Sequence, residues 1–326
     1  MSPVRRLLPC LFPLAIALLA ATTVLASGGA TCDAGELDLP VDAAAAAFGT
    51  AASGLVDGTA AVFTAPARIG AGAPMGVAAT YVSWMTGVSD SSVAIHKAGA
   101  GLGSLGLALR YFRSDLRYSS EDGRGFFGNE GGIFYYENLR VAAALSPDLA
   151  SLLSPALSGL HAGVSGFVIK QDAAEMDTRY GYGINAQAEY RPDGALAVCA
   201  EGRNIGVLKG RPLPLGFAAG LEARIGGVRR SGGSSDRLAG AAEFRWSRQN
   251  GVGGSIAAEY SVEWEVLRSA IRAGWAVDTV KSASLFPTCG LAFRIANLSI
   301  EAGLVFQGDL GTAQVISLGW ESRKEE

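Results

Sequence analysis

Apolar and polar residues alternate with a period of two along most of the chain beyond residue 74, the spacing that sends successive side chains to opposite faces of a strand. In 215–225, Leu215, Phe217, Ala219, Leu221, Ala223 and Ile225 share one face, while Gly216, Ala218, Gly220, Glu222 and Arg224 share the other. Tyr182, Ile184, Ala186, Ala188 and Tyr190 oppose Gly183, Asn185, Gln187 and Glu189. Leu298, Ile300, Ala302, Leu304 and Phe306 oppose Ser299, Glu301, Gly303 and Val305, and 256–264 repeats the pattern from Ile256 to Trp264. Each run is about as long as a tilted membrane-spanning strand, ~9–11 residues. Fourteen strands are predicted: 75–84, 91–98, 103–113, 132–145, 158–170, 179–190, 194–204, 213–226, 236–248, 253–264, 267–277, 285–294, 297–306 and 312–320. Turn chemistry stands between them, at Asp122-Gly123, Pro192-Asp193-Gly194, Asn250-Gly251 and Gly308-Asp309. The longer polar gaps, 114–131, 171–178 and 227–237, are expected to be extracellular loops.

The chain before residue 75 differs. Arg5 and Arg6 precede an uncharged apolar stretch, Leu7 to Leu25, and Val24-Leu25-Ala26 fits a small-residue cleavage rule. A signal peptide over 1–26 is expected, with an uncleaved anchor as the alternative; Pro9 and Pro13 interrupt the stretch and favour the former. Residues 27–74 carry no spanning signal and are expected to form a plug or periplasmic segment. Val41 to Ala52 is Ala-rich and helix-prone, Asp57-Gly58 breaks it, and a second short stretch ends at Pro66.

Composition sharpens this reading. Hydrophobic residues make up 49% and charged residues 17% of the 326, below the ~25% charged of soluble domains. The 44 glycines are nearly twice the usual ~7% share. After residue 26 no uncharged apolar run reaches the ~20 residues of a membrane helix. An apolar exported chain without spanning helices satisfies its backbone in lipid by closing a β-barrel. A soluble sandwich would alternate similarly, but the extent of the apolar face and the leader ahead of it favour the barrel. The fold class is therefore all-β: a transmembrane antiparallel β-barrel of about fourteen strands, over 75–320, with a small helical plug and a charged tail at 321–326. Aromatics near strand ends, Trp84, Tyr111, Tyr190, Trp246, Trp264, Trp275 and Trp320, fit an interfacial girdle.

Charges of both signs sit on the polar face. Glu201 with Arg203, Glu222 with Arg224, and Glu243 with Arg245 repeat on consecutive strands. A turn centred between Glu265 and Val266 places Glu263 opposite Arg268 and Glu259 opposite Arg272. Opposed charges stabilise a strand pair by ~0.2–1 kcal/mol, and these residues are expected to cross-link the wall from the lumen. The mature chain would hold 25 basic against 30 acidic residues, a net charge of −5, once Arg5 and Arg6 leave with the leader. With no basic stripe, nucleic acid is not an expected partner. Cys32, Cys199 and Cys289 form neither a disulfide framework nor a zinc pattern, and no cofactor or metal is expected. Only His96 and His161 could serve as a histidine base, with Ser165 near the latter in sequence; nothing brings an acid to them, so no enzyme is expected.

Residues 46 to 69 read AAFGTAASGLVDGTAAVFTAPARI. Phe48-Gly49, Gly54, Asp57, Ala60 and Pro66-Ala67 fall into the register of a hatch motif. Ala79-Thr80-Tyr81 with Trp84 and Gly87, Leu102 to Leu107 running on to Arg110-Tyr111, and Ala258-Glu259-Tyr260 followed by Ile271 to Trp275 continue in order along nearly the whole mature chain. This set resembles the FadL-type outer-membrane transporter superfamily, most closely the PorV/PorQ branch. The resemblance implies a fourteen-stranded barrel with a small plug, anchored by Phe48, Asp57 and Pro66. It also implies movement of hydrophobic small molecules, typically long-chain fatty acids, across the outer membrane. Ligand would enter from outside and leave through a wall opening or past the plug. Implied partners are outer-membrane lipid, a hydrophobic ligand and, during biogenesis, the barrel-assembly machinery. Two departures stand out: Ala65 replaces the Asn expected before Pro66, and Glu321 to Glu326 follow Trp320. No ligand site carries over residue by residue. A PorV-like partnership with a secretion system, or a structural surface barrel, are the alternatives. A charged, closed lumen favours the partnership; an apolar lumen with a wall gap favours uptake.

Overall fold

The computed structural model describes residues 35–49, 55–85, 87–99, 103–117, 133–173, 177–192, 195–229, 234–248, 251–278, 284–306 and 311–322. The leader over 1–26 and the turns Asp122-Gly123 and Gly308-Asp309 lie outside them. The strands are β1 (Met75–Met85), β2 (Val88–Gly99), β3 (Gly103–Arg117), β4 (Ile133–Ser146), β5 (Leu160–Ala173), β6 (Arg179–Tyr190), β7 (Leu196–Leu208), β8 (Arg211–Pro212), β9 (Gly216–Arg229), β10 (Ser235–Ser247), β11 (Gly251–Glu263), β12 (Leu267–Asp278), β13 (Ser284–Ile295), β14 (Leu298–Phe306) and β15 (Thr312–Glu321). All but the two-residue β8 correspond to the fourteen predicted strands. Each pairs antiparallel with its neighbours, and β1 closes on β15 from Gly76 opposite Glu321 to Ser83 opposite Gln314. Closure removes the free edges that lipid cannot satisfy.

Alternation decides which side chains meet lipid. Tyr81, Ile95, Leu107, Val168, Ile271 and Ile316 face outward and are exposed, whereas Glu222, Glu259, Arg140 and Asn185 face inward and are buried. In water such an exterior would be unstable; in a bilayer it is the solvated face.

β1 begins and β15 ends at one end of the barrel, hereafter the terminal end; the opposite end is the loop end. The β3–β4 and β5–β6 connections lie at the loop end, since β3 and β5 run away from the terminal end. The β9–β10 connection lies at the terminal end. The grouping of 227–237 with the two other long gaps as extracellular loops is thus wrong: an odd number of strand reversals separates it from them. The other two gaps are also shorter than expected, because β3 reaches Arg117 and β5 reaches Ala173. Outward side chains there turn charged beyond the apolar belt, so strand reads as loop; Arg113 faces Asp115 at 2.9 Å and Lys170 faces Asp172 at 2.6 Å.

Two further departures have local causes. Lys209 and Gly210, at φ 48° and 77°, make a two-residue hairpin that folds β8 back on β7. The chain then turns inward at Leu213, which is fully buried near Phe167 and Leu208, and β9 starts three residues later than the alternation suggests. Trp84 is no girdle residue: it is 3% exposed and packs in the lumen with Val82, Val88, Phe112 and Val315. Both faces of β1 hold small residues, so the pattern leaves its orientation open. Trp264 and Trp275 do face outward.

Inside the barrel lies the plug. It comprises the 3-10 turn Gly35–Asp38, the helix Ala43–Ala47, the helix Ala61–Thr64 and the 3-10 turn Pro66–Arg68. Its apolar residues Val41, Phe48, Val56, Val62 and Ile69 are at most 3% exposed.

Candidate functional site

The boundary between plug and wall gathers the buried polar side chains of the lumen, and it is built from two halves. In the first, Asp42 caps the helix Ala43–Ala47, its carboxylate accepting from the Ala45 N–H at 2.8 Å. Five alanines in a row leave a thin helix that sits directly on the wall. A Cβ at Gly303 would come within 2.7 Å of the Ala43 carbonyl oxygen, and one at Gly290 within 2.5 Å of the Ala47 methyl. The Ala43 N–H donates to Ser317 Oγ at 3.0 Å, and Thr288 donates to the Ala47 carbonyl at 2.7 Å. Gly49 ends the helix at φ 59°, lodged against the backbone of Trp275 and Ala276. Phe48 is 1% exposed, with the Arg272 guanidinium 5.2 Å from its ring centroid.

The second half is ionic. Arg68 is 2% exposed and donates to Asp57 at 2.7 Å, to Glu189 at 2.7 Å and to Glu222 at 3.2 Å. Arg191 joins from the wall, 2.5 Å from Glu222 and 3.1 Å from Glu189, and Arg224 contacts both Glu222 and Asp57. Burial alone would raise the Asp57 carboxyl, but Arg68 and Arg224 overcome it and hold the group below the ordinary carboxylate range. Burial likewise opposes the Arg68 charge, yet Asp57, Glu189 and Glu222 keep the guanidinium above its ordinary value. Pro66 opens its 3-10 turn over Gly163, where a Cβ would lie 2.2 Å from the Pro66 carbonyl carbon. The Ala67 N–H donates to Gln187, and Asn185 donates to the Phe63 carbonyl. Asn185 also accepts from the Asn204 N–H at 2.8 Å, at the point where the β6–β7 register shifts.

Of the charges picked out by alternation, Glu201, Glu222, Glu243, Glu259 and Arg272 are buried, Arg203, Arg224, Arg245 and Arg268 are half-buried, and Glu263 is exposed. Glu259 stands opposite Arg272 and Glu263 opposite Arg268. Arg272 bonds Glu259 at 2.8 Å and also Glu301 at 2.5 Å. Arg268 leans to Glu259, at 3.2 Å, rather than to the exposed Glu263 at the strand end. Arg203 bonds Glu201 at 2.7 Å and approaches Glu243 at 3.7 Å, while Arg245 is half-buried one register step away. Sequence reasoning missed Arg68 and Arg191, and placed Glu189 and Glu301 on the polar face without giving them a partner. Glu189-Tyr190-Arg191 repeats the Glu-x-Arg spacing of the other three strands, and that signal was available. Glu321, expected to open a charged tail, is the last residue of β15 and bonds Arg294 at 2.7 Å.

Between plug and wall lies a cavity of about 170 Å³. Leu55, Val56, Ala60 and Phe63 line it from the plug; Arg237, Arg268, Arg272 and Arg294 line it from the wall, with Asp42, Glu259 and Glu301. Burial, then Glu301, pushes the Asp42 carboxyl up to about 6, against the Ala45 N–H and Arg272.

The histidines form no catalytic set. His96 is buried between Thr59, 2.8 Å from its Nδ1, and the Ala73 carbonyl, 2.9 Å from its Nε2, so it ties plug to wall. His161 is exposed, four residues and about 13 Å along β5 from the buried Ser165. Among the described residues no group of His, Cys, Asp or Glu could hold a metal. Cys199 is buried and Cys289 half-buried, and the two are not joined in a disulfide.

No family model and no curated protein matches the sequence. Solved structures share the fold. The P. putida toluene transporter TodX superposes with a TM-score of 0.53 at 10% identity, over 86% of this chain and 99% of its own. The Ralstonia pickettii toluene transporter TbuX gives 0.53 at 12% identity, over 86% and 97%. The CymD monoaromatic hydrocarbon channel gives 0.52 at 9% identity, over 89% and 99%.

Proposed function

We propose that this chain is an outer-membrane channel for hydrophobic small molecules, with the plug as its gate. The observation that carries the reading is the cavity at the plug–wall boundary, lined on the plug side by Leu55, Val56, Ala60 and Phe63 together with Asp42, Asp57 and Thr59, inside a closed barrel whose exterior suits lipid. The shared architecture with toluene and monoaromatic hydrocarbon channels supports it. The FadL-type resemblance extends the substrate class to long-chain fatty acids. Every long strand is laddered on both sides among the described residues, so this conformation offers no seam in the wall. Passage then runs along the boundary and requires the plug to shift.

A second reading rests on the same closure. A charged, plugged lumen suits a PorV-like partner of a secretion system, which would need a stable surface rather than a path. Flux separates the two. The mature chain, refolded into liposomes, is expected to admit toluene or a labelled fatty acid faster than empty liposomes, and faster still as the Arg68→Ala variant. Equal flux in all three would overturn the channel and leave the partner role.

A further inference from the structure

The β4–β5 connection, 147–159, is the longest at the terminal end; no other there exceeds five residues. It is folded rather than slack. Asp148 caps the helix Leu149–Leu152, accepting from the Ser151 N–H at 3.2 Å and from its hydroxyl at 2.6 Å. Ser154 caps the 3-10 turn Pro155–Leu157, accepting from the Ala156 N–H at 3.3 Å. Yet neither element buries a residue. Leu152 is 50% exposed, and Leu153, at 72%, is the most exposed large apolar side chain among the described residues. Asp148 is the only charge between Pro147 and Gly159. An ordered segment that shows its leucines and has no core of its own calls for an apolar surface outside the chain.

The neighbouring strands identify that surface. At the loop end, β3, β4 and β5 carry the outward charges Arg113, Glu137 and Lys170 above the apolar belt. Below them the outward positions run uncharged through 103–111, 139–147 and 160–168, nine residues on each strand. A tilted strand crosses lipid in ~9–11 residues, so the far boundary falls where these strands end or about two residues beyond. No outward charge closes the belt there. Leu105, Leu145 and Val164 stand side by side in its last row of large side chains, all exposed, and the chain passes from Leu145 into the leucines of the connection. We propose that this connection is a membrane-interface anchor. Leu152 and Leu153 insert between headgroups and acyl chains of the terminal-side leaflet, continuing the belt from Leu145. The occupant is lipid, because the surface that leads to these residues already faces lipid and the segment offers a partner protein almost no charge to recognise. An apolar foot on one side of the barrel sets its depth and tilt in the bilayer. The inference goes beyond the channel reading and holds equally for a barrel that transports nothing.

The test places one nitroxide at a time on the mature chain, refolded into vesicles of phosphatidylethanolamine and phosphatidylglycerol. Cys32, Cys199 and Cys289 are first replaced by alanine, and heat-modifiable gel mobility checks that each labelled variant is a folded barrel. Collisions with oxygen, which partitions into lipid, are compared with collisions with a water-soluble nickel chelate. The label at Leu153→Cys is expected to favour oxygen as the label at Val164→Cys in the belt does. The label at Lys209→Cys, on the exposed hairpin tip of the loop end, should favour the chelate. A Leu153 label as wet as the Lys209 label would overturn the proposal and leave the leucines to a partner protein. A label shielded from both probes would overturn it too, because the segment would then pack on the barrel or on a second copy. Either result leaves the flux test of the channel untouched.

Discussion

The guanidinium of Arg68, on the plug, donates to the Glu189 carboxylate of the wall across 2.7 Å, joining residues 121 positions apart. Removing one partner of a buried pair leaves the others uncompensated and costs ~3–5 kcal/mol. Arg68→Ala should therefore loosen the plug and spare the wall. Hydrogen exchange over 55–74 is expected to accelerate while strand amides stay protected. Arg68→Lys should fall between, because an ammonium cannot fork between Asp57 and Glu189. Unchanged exchange in Arg68→Ala would show that the apolar contacts alone hold the plug.

The alanine helix depends on glycines beneath it. A Cβ at Gly303 meets the Ala43 carbonyl at 2.7 Å, so Gly303→Val should lift the helix at a cost of ~1–3 kcal/mol, the range for overpacking. Faster exchange at 43–49 with normal heat-modifiable mobility is the expected result. A similar change at Gly166, where a Cβ meets nothing within 4 Å, should be silent.

Docking of that helix should also respond to pH. The Asp42 carboxyl, pushed up to about 6 by burial, ordinarily titrates at 3.8. A carboxyl raised in the docked state is a burden when ionised, so docking weakens as pH rises from about 4 through about 6. Asp57, held low, acts in the opposite sense: its contribution is present above 3.8 and is lost only as pH falls below that. Protection at 43–49, taken relative to the intrinsic base-catalysed exchange rate at each pH, should thus be greater at pH 5 than at pH 7.5. Asp42→Asn keeps the cap acceptor and should erase the difference; a pH response that survives it would point to another group.

Trp84 and Trp275 face opposite solvents, the lumen and the lipid. In variants that keep a single tryptophan, a quencher carried on lipid chains should dim Trp275 and leave Trp84 bright. Equal quenching would mean that β1 is turned over.

Alternation made the strand count, the inward row of Glu and Arg and the Glu259–Arg272 register legible, because a one-residue slip would reverse every face. It could not reveal where strands end, since beyond Arg113 and Lys170 charged residues such as Asp115 and Asp172 look like loop once they clear the lipid. Nor could it orient β1, whose faces are both small. Partners across the lumen were out of reach for a different reason. Periodicity tells which way Glu189 and Glu222 point, not that Arg68, 121 and 154 positions away, will meet them. The seats at Gly163, Gly290 and Gly303 were visible only as an excess of glycine.

The path of the plug constrains how the molecule is made. Glu36 accepts hydrogen bonds from Tyr136 and Asn138, near the loop end of β4, whereas Thr59 and Ala73 bond His96 towards the terminal end, where β1 begins. The segment thus runs the length of the lumen, like a thread through a bead. A finished cylinder would have to be threaded from one mouth; a sheet still open between β1 and β15 need only wrap. Because the segment precedes every strand in the chain, it can serve as the mandrel around which the sheet curls, and the β1–β15 seam is then the last stitch.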